Sequence, residues 1–226
     1  MQLLDDQVGR TQGTSPWALG GASWPTMDDD RFDGLVLAPG AGGRRTQSGL
    51  VAIDQLLSEA GITVMRIEFP AQAAGRARPD PPAVCIETVR EATAELATQL
   101  GVPSTRVAIG GRSFGGRMCS MAAAEGLAVA GLVLVSYPLH PPGQPTRLRT
   151  AHFSNLHVPC LFVTGRRDPF ATAAELERET SAIVGDVTIS LVDGDHSLRR
   201  TEQAAAAEVL AWARGGAALH EGHGGH

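Results

Sequence analysis

The sequence predicts an α/β fold: a mostly parallel central sheet of about six to eight strands, with helices on both faces. Three observations carry this. Short apolar runs recur at regular spacing, a long amphipathic pattern separates two of them, and helical segments repeatedly end in a glycine just before the next apolar run.

The strand candidates are Leu35–Ala38, Ile62–Phe69, Arg106–Ile109, Leu132–Ser136, Cys160–Thr164 and Val187–Val192. Most are nearly continuous in apolar residues rather than alternating, which is the requirement of strands covered on both faces and hence of a parallel sheet. The clearest helix runs from Pro82 to Leu100. There Ile86, Val89, Thr93, Leu96 and Leu100 form one stripe, and Glu87, Glu91 and Glu95 lie on the other side. Gly61, Gly101, Gly126 and Gly185 stand where a left-handed C-terminal cap is expected. Strand, helix and glycine in rotation imply right-handed crossovers.

The length of 226 residues and the 43% apolar content fit one domain with a substantial core. We place it at residues 34–214. Residues 1–33, with Trp17 and Trp24 as their main apolar anchors, are read as an arm or a sheet edge, and residues 215–226 as a flexible Gly/His tail. The tail histidines have no neighbouring helix or acid to orient them as metal ligands, and no metal or other cofactor is expected. A net charge of -5 with scattered arginines gives no basic face for nucleic acid. No apolar run is long enough to span a membrane and the first residues lack a leader pattern, so the expected location is cytoplasmic. Cys85, Cys119 and Cys160 have no metal or redox spacing and are read as buried free thiols.

One motif carries chemistry. In AIGGRSFGGRM, Gly111, Ser113 and Gly115 match GxSxG, a pattern that a chain with 27 glycines also produces by chance. Its context is more specific. A strand candidate ends just before Ser113 and a helical run follows it, the setting in which a serine sits on a strained elbow above a sheet. Side chains at 111 and 115 would collide with the neighbouring strand and helix.

A serine nucleophile needs a histidine to take its proton and an acid to orient that histidine, in the chain order serine, acid, histidine. Asp168 follows the next-to-last strand in GRRDPF, and His196 follows the last in DGDHSL. Asp168 has a competing reading as a cap for a helix starting near Ala171. Asp193 and Asp195 are poorer partners, because an adjacent carboxylate rarely reaches its neighbour's ring nitrogen. The turn in LAPGAGG supplies exposed N–H groups, and those of Ala41 and Phe114 are assigned to an oxyanion hole. Gly42, Phe69, Tyr137 and Leu139 are expected to line the substrate site. Arg44 and Arg45 are read as solvated surface residues in preference to substrate contacts.

Five stretches in order, LAPGAGG, VMRIEFP with GRARPDPP, GGRSFGGRM, LFVTGRRDPF and DGDHSL, resemble small α/β-hydrolases of the dienelactone-hydrolase-like kind, in particular the KANL3/Tex30-type domain. The resemblance runs from about Phe32 to Trp212. It implies an α/β-hydrolase sheet, a triad of Ser113, Asp168 and His196, and an oxyanion turn at Gly40 to Gly42 with Phe114. The sequence departs from it at Pro39, where many hydrolases have histidine. No large cap domain is expected, because only about two dozen residues separate Ser136 from Cys160. The function expected is a serine hydrolase, a carboxylesterase acting on small or medium acyl esters. The alternatives are a hydrolase-like binding module with little turnover, or lactone, thioester or acyl-transfer chemistry on the same triad. The partner expected is a small-molecule acyl ester.

Overall fold

The structure, a computed structural model, describes residues 30–216. Strands β1 (Gly34–Ala38), β2 (Thr63–Arg66), β3 (Val107–Arg112), β4 (Leu132–Val135), β5 (Cys160–Gly165) and β6 (Val187–Val192) form one six-stranded sheet in the order β2-β1-β3-β4-β5-β6. Every pairing is parallel. Among the described residues six α-helices surround it: α1 (Ser48–Glu59), α2 (Pro70–Ala73), α3 (Pro82–Leu100), α4 (Phe114–Ala124), α5 (Ala173–Thr180) and α6 (Glu202–Ala213).

Alternation along each strand divides the core into two layers. Leu35, Leu37, Ala108, Val133, Val135, Leu161 and Val163 pack with α1 and α6. Val36, Ala38, Ile109, Leu134 and Phe162 pack on the other face with α3, α4 and α5. This division follows from handedness. The connection from β1 to β2 runs one way along the sheet and all later ones run the other, so right-handed crossovers put α1 on one face and α3, α4 and α5 on the opposite face. The chain reverses direction between β1 and β3, which pair from Gly34–Val107 to Ala38–Gly111. The crevice at the carboxyl ends of those two strands is therefore where a ligand site belongs in an open α/β sheet.

The long helix has the expected bounds and buries Ile86, Val89, Thr93 and Leu96. Gly61, Gly101 and Gly126 are left-handed, at φ 90°, 67° and 91°. Gly185 is not: a Cβ there would come within 2.2 Å of the Val158 carbonyl oxygen, so its need for glycine is close packing. The run Ile62–Phe69 shortens to four paired residues, because β1 offers β2 partners only as far as Leu37 and Pro70 then opens α2.

Packing against the last helix begins before Gly34. Phe32 is fully buried beside Trp212, with ring centroids 6.1 Å apart, and Arg31 donates from its backbone N to the Ala213 carbonyl at 2.7 Å. Trp17, Trp24 and the histidines of the tail lie outside the described residues. Among the described residues no helix is long and apolar enough to cross a membrane.

Candidate active site

Ser113 stands between β3 and α4 at φ 51°, ψ −111°, a conformation that costs a non-glycine residue about 1–3 kcal/mol. The elbow is tight because α4 packs directly on the end of β1. A Cβ at Gly115 would lie 2.3 Å from the Ala38 carbonyl oxygen, and one at Gly111 would lie 2.2 Å from the same atom. The two glycines are thus required by the approach of β3 and α4 to β1. Gly110 is equally confined: a Cβ there would lie 2.1 Å from the Val133 carbonyl oxygen, so it too must be glycine.

The structure brings Ser113, His196 and Asp168 together from three strand-end loops. His196 Nε2 is 3.0 Å from Ser113 Oγ, and His196 Nδ1 is 2.8 Å and 3.1 Å from the two Asp168 oxygens. The Asp168 side chain is fully buried and that of His196 is 19% exposed. Asp168 also accepts from the Phe170 N–H at 2.9 Å and from Thr164 Oγ1 at 3.3 Å. Acceptor duty of this kind suits a carboxylate, which in turn assigns the proton of the ring to Nδ1 and leaves Nε2 to accept from the serine.

The competing readings of the carboxylates resolve in the same geometry. Helix α5 is capped by Thr172, whose hydroxyl accepts from the Glu175 N–H while Glu175 reaches back, so Asp168 is free of that duty. Asp193 pairs with Arg167, and Asp195 accepts from the N–H and hydroxyl of Ser197. Cys119 is fully buried against the Gly110 carbonyl, and burial pushes its thiol well above the ordinary value.

Two residues that the motifs did not single out complete the surroundings. The Phe170 ring stacks on His196 with centroids 4.2 Å apart. Arg112 donates to the His196 carbonyl at 2.9 Å, and burial holds its guanidinium below its ordinary value while Asp168 and Asp195 act in the opposite direction. Arg112 immediately precedes the serine in the motif, but its reach across to the histidine loop has no signal in local sequence.

The turn after β1 is held by two glutamines. The Gly40 N–H donates to Gln47 Oε1 at 3.0 Å. Gln72, at the start of the helix after β2, accepts from the Phe69 N–H at 3.2 Å and donates to the Gly40 carbonyl at 2.8 Å. The Ala41 N–H has no hydrogen-bond partner among the described residues, and the Phe114 N–H, first in α4, has no intrahelical acceptor. Gly42 and Ala41 line a cleft of about 200 Å³ together with Gln72.

Three of the residues expected to line the site do not face it. Tyr137 and Leu139 are enclosed in the core under α4 and α5, at 1% and 0% exposure. Tyr137 packs against Phe153 and Phe162, and its hydroxyl donates to the Arg149 carbonyl at 2.9 Å. Phe69 is also buried, edge-on to Phe114 with centroids 5.6 Å apart, so it backs the candidate oxyanion residue. Arg44 and Arg45 lie on the surface, where Arg44 approaches Glu68 at 3.8 Å and the Arg45 N–H donates to the same carboxylate.

Residues 32–218 match the family described as an alpha/beta hydrolase domain. An alpha-beta serine hydrolase homologue from Coxiella burnetii is 18% identical over 78% of this chain and 82% of its own, with a TM-score of 0.64. The esterase domain of a Rhodothermus marinus protein is 17% identical over 83% and 88%, with a TM-score of 0.62. Est1E from Butyrivibrio proteoclasticus, in a structure with bound ferulic acid, is 16% identical over 81% and 91%, with a TM-score of 0.63. At these identities the likeness is one of fold.

Proposed function

Because the chain belongs to the alpha/beta hydrolase family, we propose that it is a serine hydrolase, a carboxylesterase for small or medium acyl esters, nearest in kind to the dienelactone-hydrolase-like members. The observation that carries this reading is the hydrogen-bonded line from Ser113 Oγ through His196 to the buried Asp168. Fold likeness to an esterase domain and to Est1E agrees with it.

The chemistry proceeds in two halves. Ser113 Oγ attacks the ester carbonyl carbon as His196 Nε2 takes its proton, and the carbonyl oxygen becomes an oxyanion accepting from the Ala41 and Phe114 N–H groups. Collapse of the tetrahedral species expels the alcohol, which takes the proton from His196. Water then attacks the acyl-serine, again giving its proton to His196, and the acid leaves as Ser113 recovers the proton. Asp168 fixes the ring and stabilises the imidazolium formed in each half.

The rival reading is a hydrolase-like module with little turnover, which Pro39 would favour because proline lacks a side-chain donor to hold the turn. Gln47 and Gln72 provide that hold, which favours an organised site. A fluorophosphonate probe tests the reading: covalent labelling at Ser113, lost in His196→Ala, is the expected result. A folded protein that neither labels nor hydrolyses p-nitrophenyl butyrate overturns it. Esters compared with lactones and thioesters decide the class of acyl substrate.

A further inference from the structure

Arg117 begins a second site. It lies one helical turn beyond Ser113 on α4, its backbone N–H donating to the Ser113 carbonyl at 3.1 Å. On the outer side of that helix opens a cleft of about 620 Å³ whose polar wall is Arg117, Arg147, Arg149, His152 and Asn155. No carboxylate lines it. This is an unusual concentration of positive charge in a chain whose net charge is -5.

None of the three guanidinium groups is neutralised among the described residues. Two acids of α5 that reach this part of the chain are committed elsewhere: Glu179 accepts from Arg178 and Thr150, and Glu175 serves the Thr172 cap. Arg117 Nε is shut off from solvent with no hydrogen-bond partner. Arg149 sits below its ordinary value, first through burial and then through the repulsion of Arg117, with Arg147 adding to it. Its own carbonyl is pinned by the Tyr137 hydroxyl, and its N–H donates to the Leu139 carbonyl at 2.8 Å, so the backbone cannot easily withdraw the side chain from its neighbours.

Like charges gathered beside an unsatisfied donor are costly unless an anion completes them. Guanidinium forks match the oxygens of carboxylates and phosphates in geometry as well as charge. The remaining walls, including Met121 and the exposed Leu148, are apolar. We propose that this cleft binds an oxyanion, carboxylate or phosphate, carried by a partly apolar small molecule. The binding itself does not depend on the esterase reading.

Inorganic phosphate is the probe, titrated into the full chain by calorimetry and by thermal unfolding at constant ionic strength. Saturable heat and a rising Tm are expected with phosphate and not with sodium chloride. Arg117→Gln and Arg149→Gln should each weaken binding by roughly tenfold, while Arg167→Gln, which does not line the cleft and pairs with Asp193, should not. Absence of any saturable effect beyond that of chloride, or undiminished binding in the Arg117→Gln, Arg149→Gln double variant, overturns the proposal. Two esters identify the source of the anion. If phosphate raises KM for mono-p-nitrophenyl succinate and leaves p-nitrophenyl acetate hydrolysis unchanged, the occupant is the charged end of the substrate. If phosphate binds and affects neither ester, the occupant is a separate ligand.

Discussion

Gln72 Nε2 donates to the Gly40 carbonyl at 2.8 Å, so a buried side chain from the helix after β2 fixes the turn after β1. With the Gly40 carbonyl turned toward Gln72, the neighbouring Ala41 N–H is left for another acceptor. Gln72→Met keeps the length but loses both the donor to Gly40 and the acceptor of the Phe69 N–H. We expect kcat for p-nitrophenyl butyrate to fall by about 10- to 100-fold with KM little changed, because the loss falls on the charge that develops in the transition state. The stability cost should be about 1–3 kcal/mol for the stranded polar groups. An unchanged kcat would remove Gln72 from the oxyanion machinery.

What the sequence made legible and what it hid follow from the range of the interactions. Strand runs and the long helix are local patterns, and each stands close to where its pattern places it, with β2 shorter than its run; Ser113, Asp168 and His196, each following a strand, lie within hydrogen-bond distance of one another in turn. Gln72 and Arg112 act across 32 and 84 residues of chain, on partners that are backbone carbonyls, so no residue type at the far end announces them. Tyr137 and Leu139 misled for a different reason. They follow the end of a central strand, which suggests a cleft, but Ser136 at φ 48° turns the chain and their side chains fill the core beside Phe153 and Phe162. Burial of an aromatic there is a tertiary outcome that a strand-end position cannot reveal.

The elbow makes stability and activity separable at one residue. Ser113→Ala retains the strained backbone and should reduce hydrolysis by about 10³-fold or more with Tm nearly unchanged. Ser113→Gly removes the Cβ from φ 51° and should stabilise the fold by about 1 kcal/mol while being equally inactive. Paired thermal unfolding and rate measurements check both. A Gly variant no more stable than the Ala variant would mean the elbow is not strained.

Two glycines should respond to alanine in opposite directions. At Gly111 the new methyl would press on the Ala38 carbonyl between two paired strands, neither of which can move independently, and a loss of about 3 kcal/mol or more is expected. Gly49, inside the first turn of α1, has nothing within 4 Å of its Cβ position. There alanine lowers the entropy of the unfolded chain and improves helix propensity, for a gain of about 0.5–1 kcal/mol. Urea midpoints of the two variants measure the contrast.

His152 should make stability fall on mild acidification. Burial, and then the charge of Arg117, depress it from 6.5 to about 4. The unfolded chain therefore binds a proton near pH 6.5 that the folded protein refuses until about pH 4, so stability is greatest above pH 6.5 and declines as pH falls through that window. Depressed carboxylates such as Asp33 and Glu175 act in a lower range, since the stability they contribute is lost only below their unfolded values of 3.8 and 4.5. The interval from pH 6.5 to 5 thus reports mainly the histidine among these three. We expect His152→Gln to flatten the Tm profile there, with a difference on the order of 1 kcal/mol from the wild type by pH 5. Arg117→Gln should flatten it in part, because it removes the second cause and leaves the first, and identical slopes in all three proteins would show that His152 takes up its proton in the folded state as readily as in the unfolded chain.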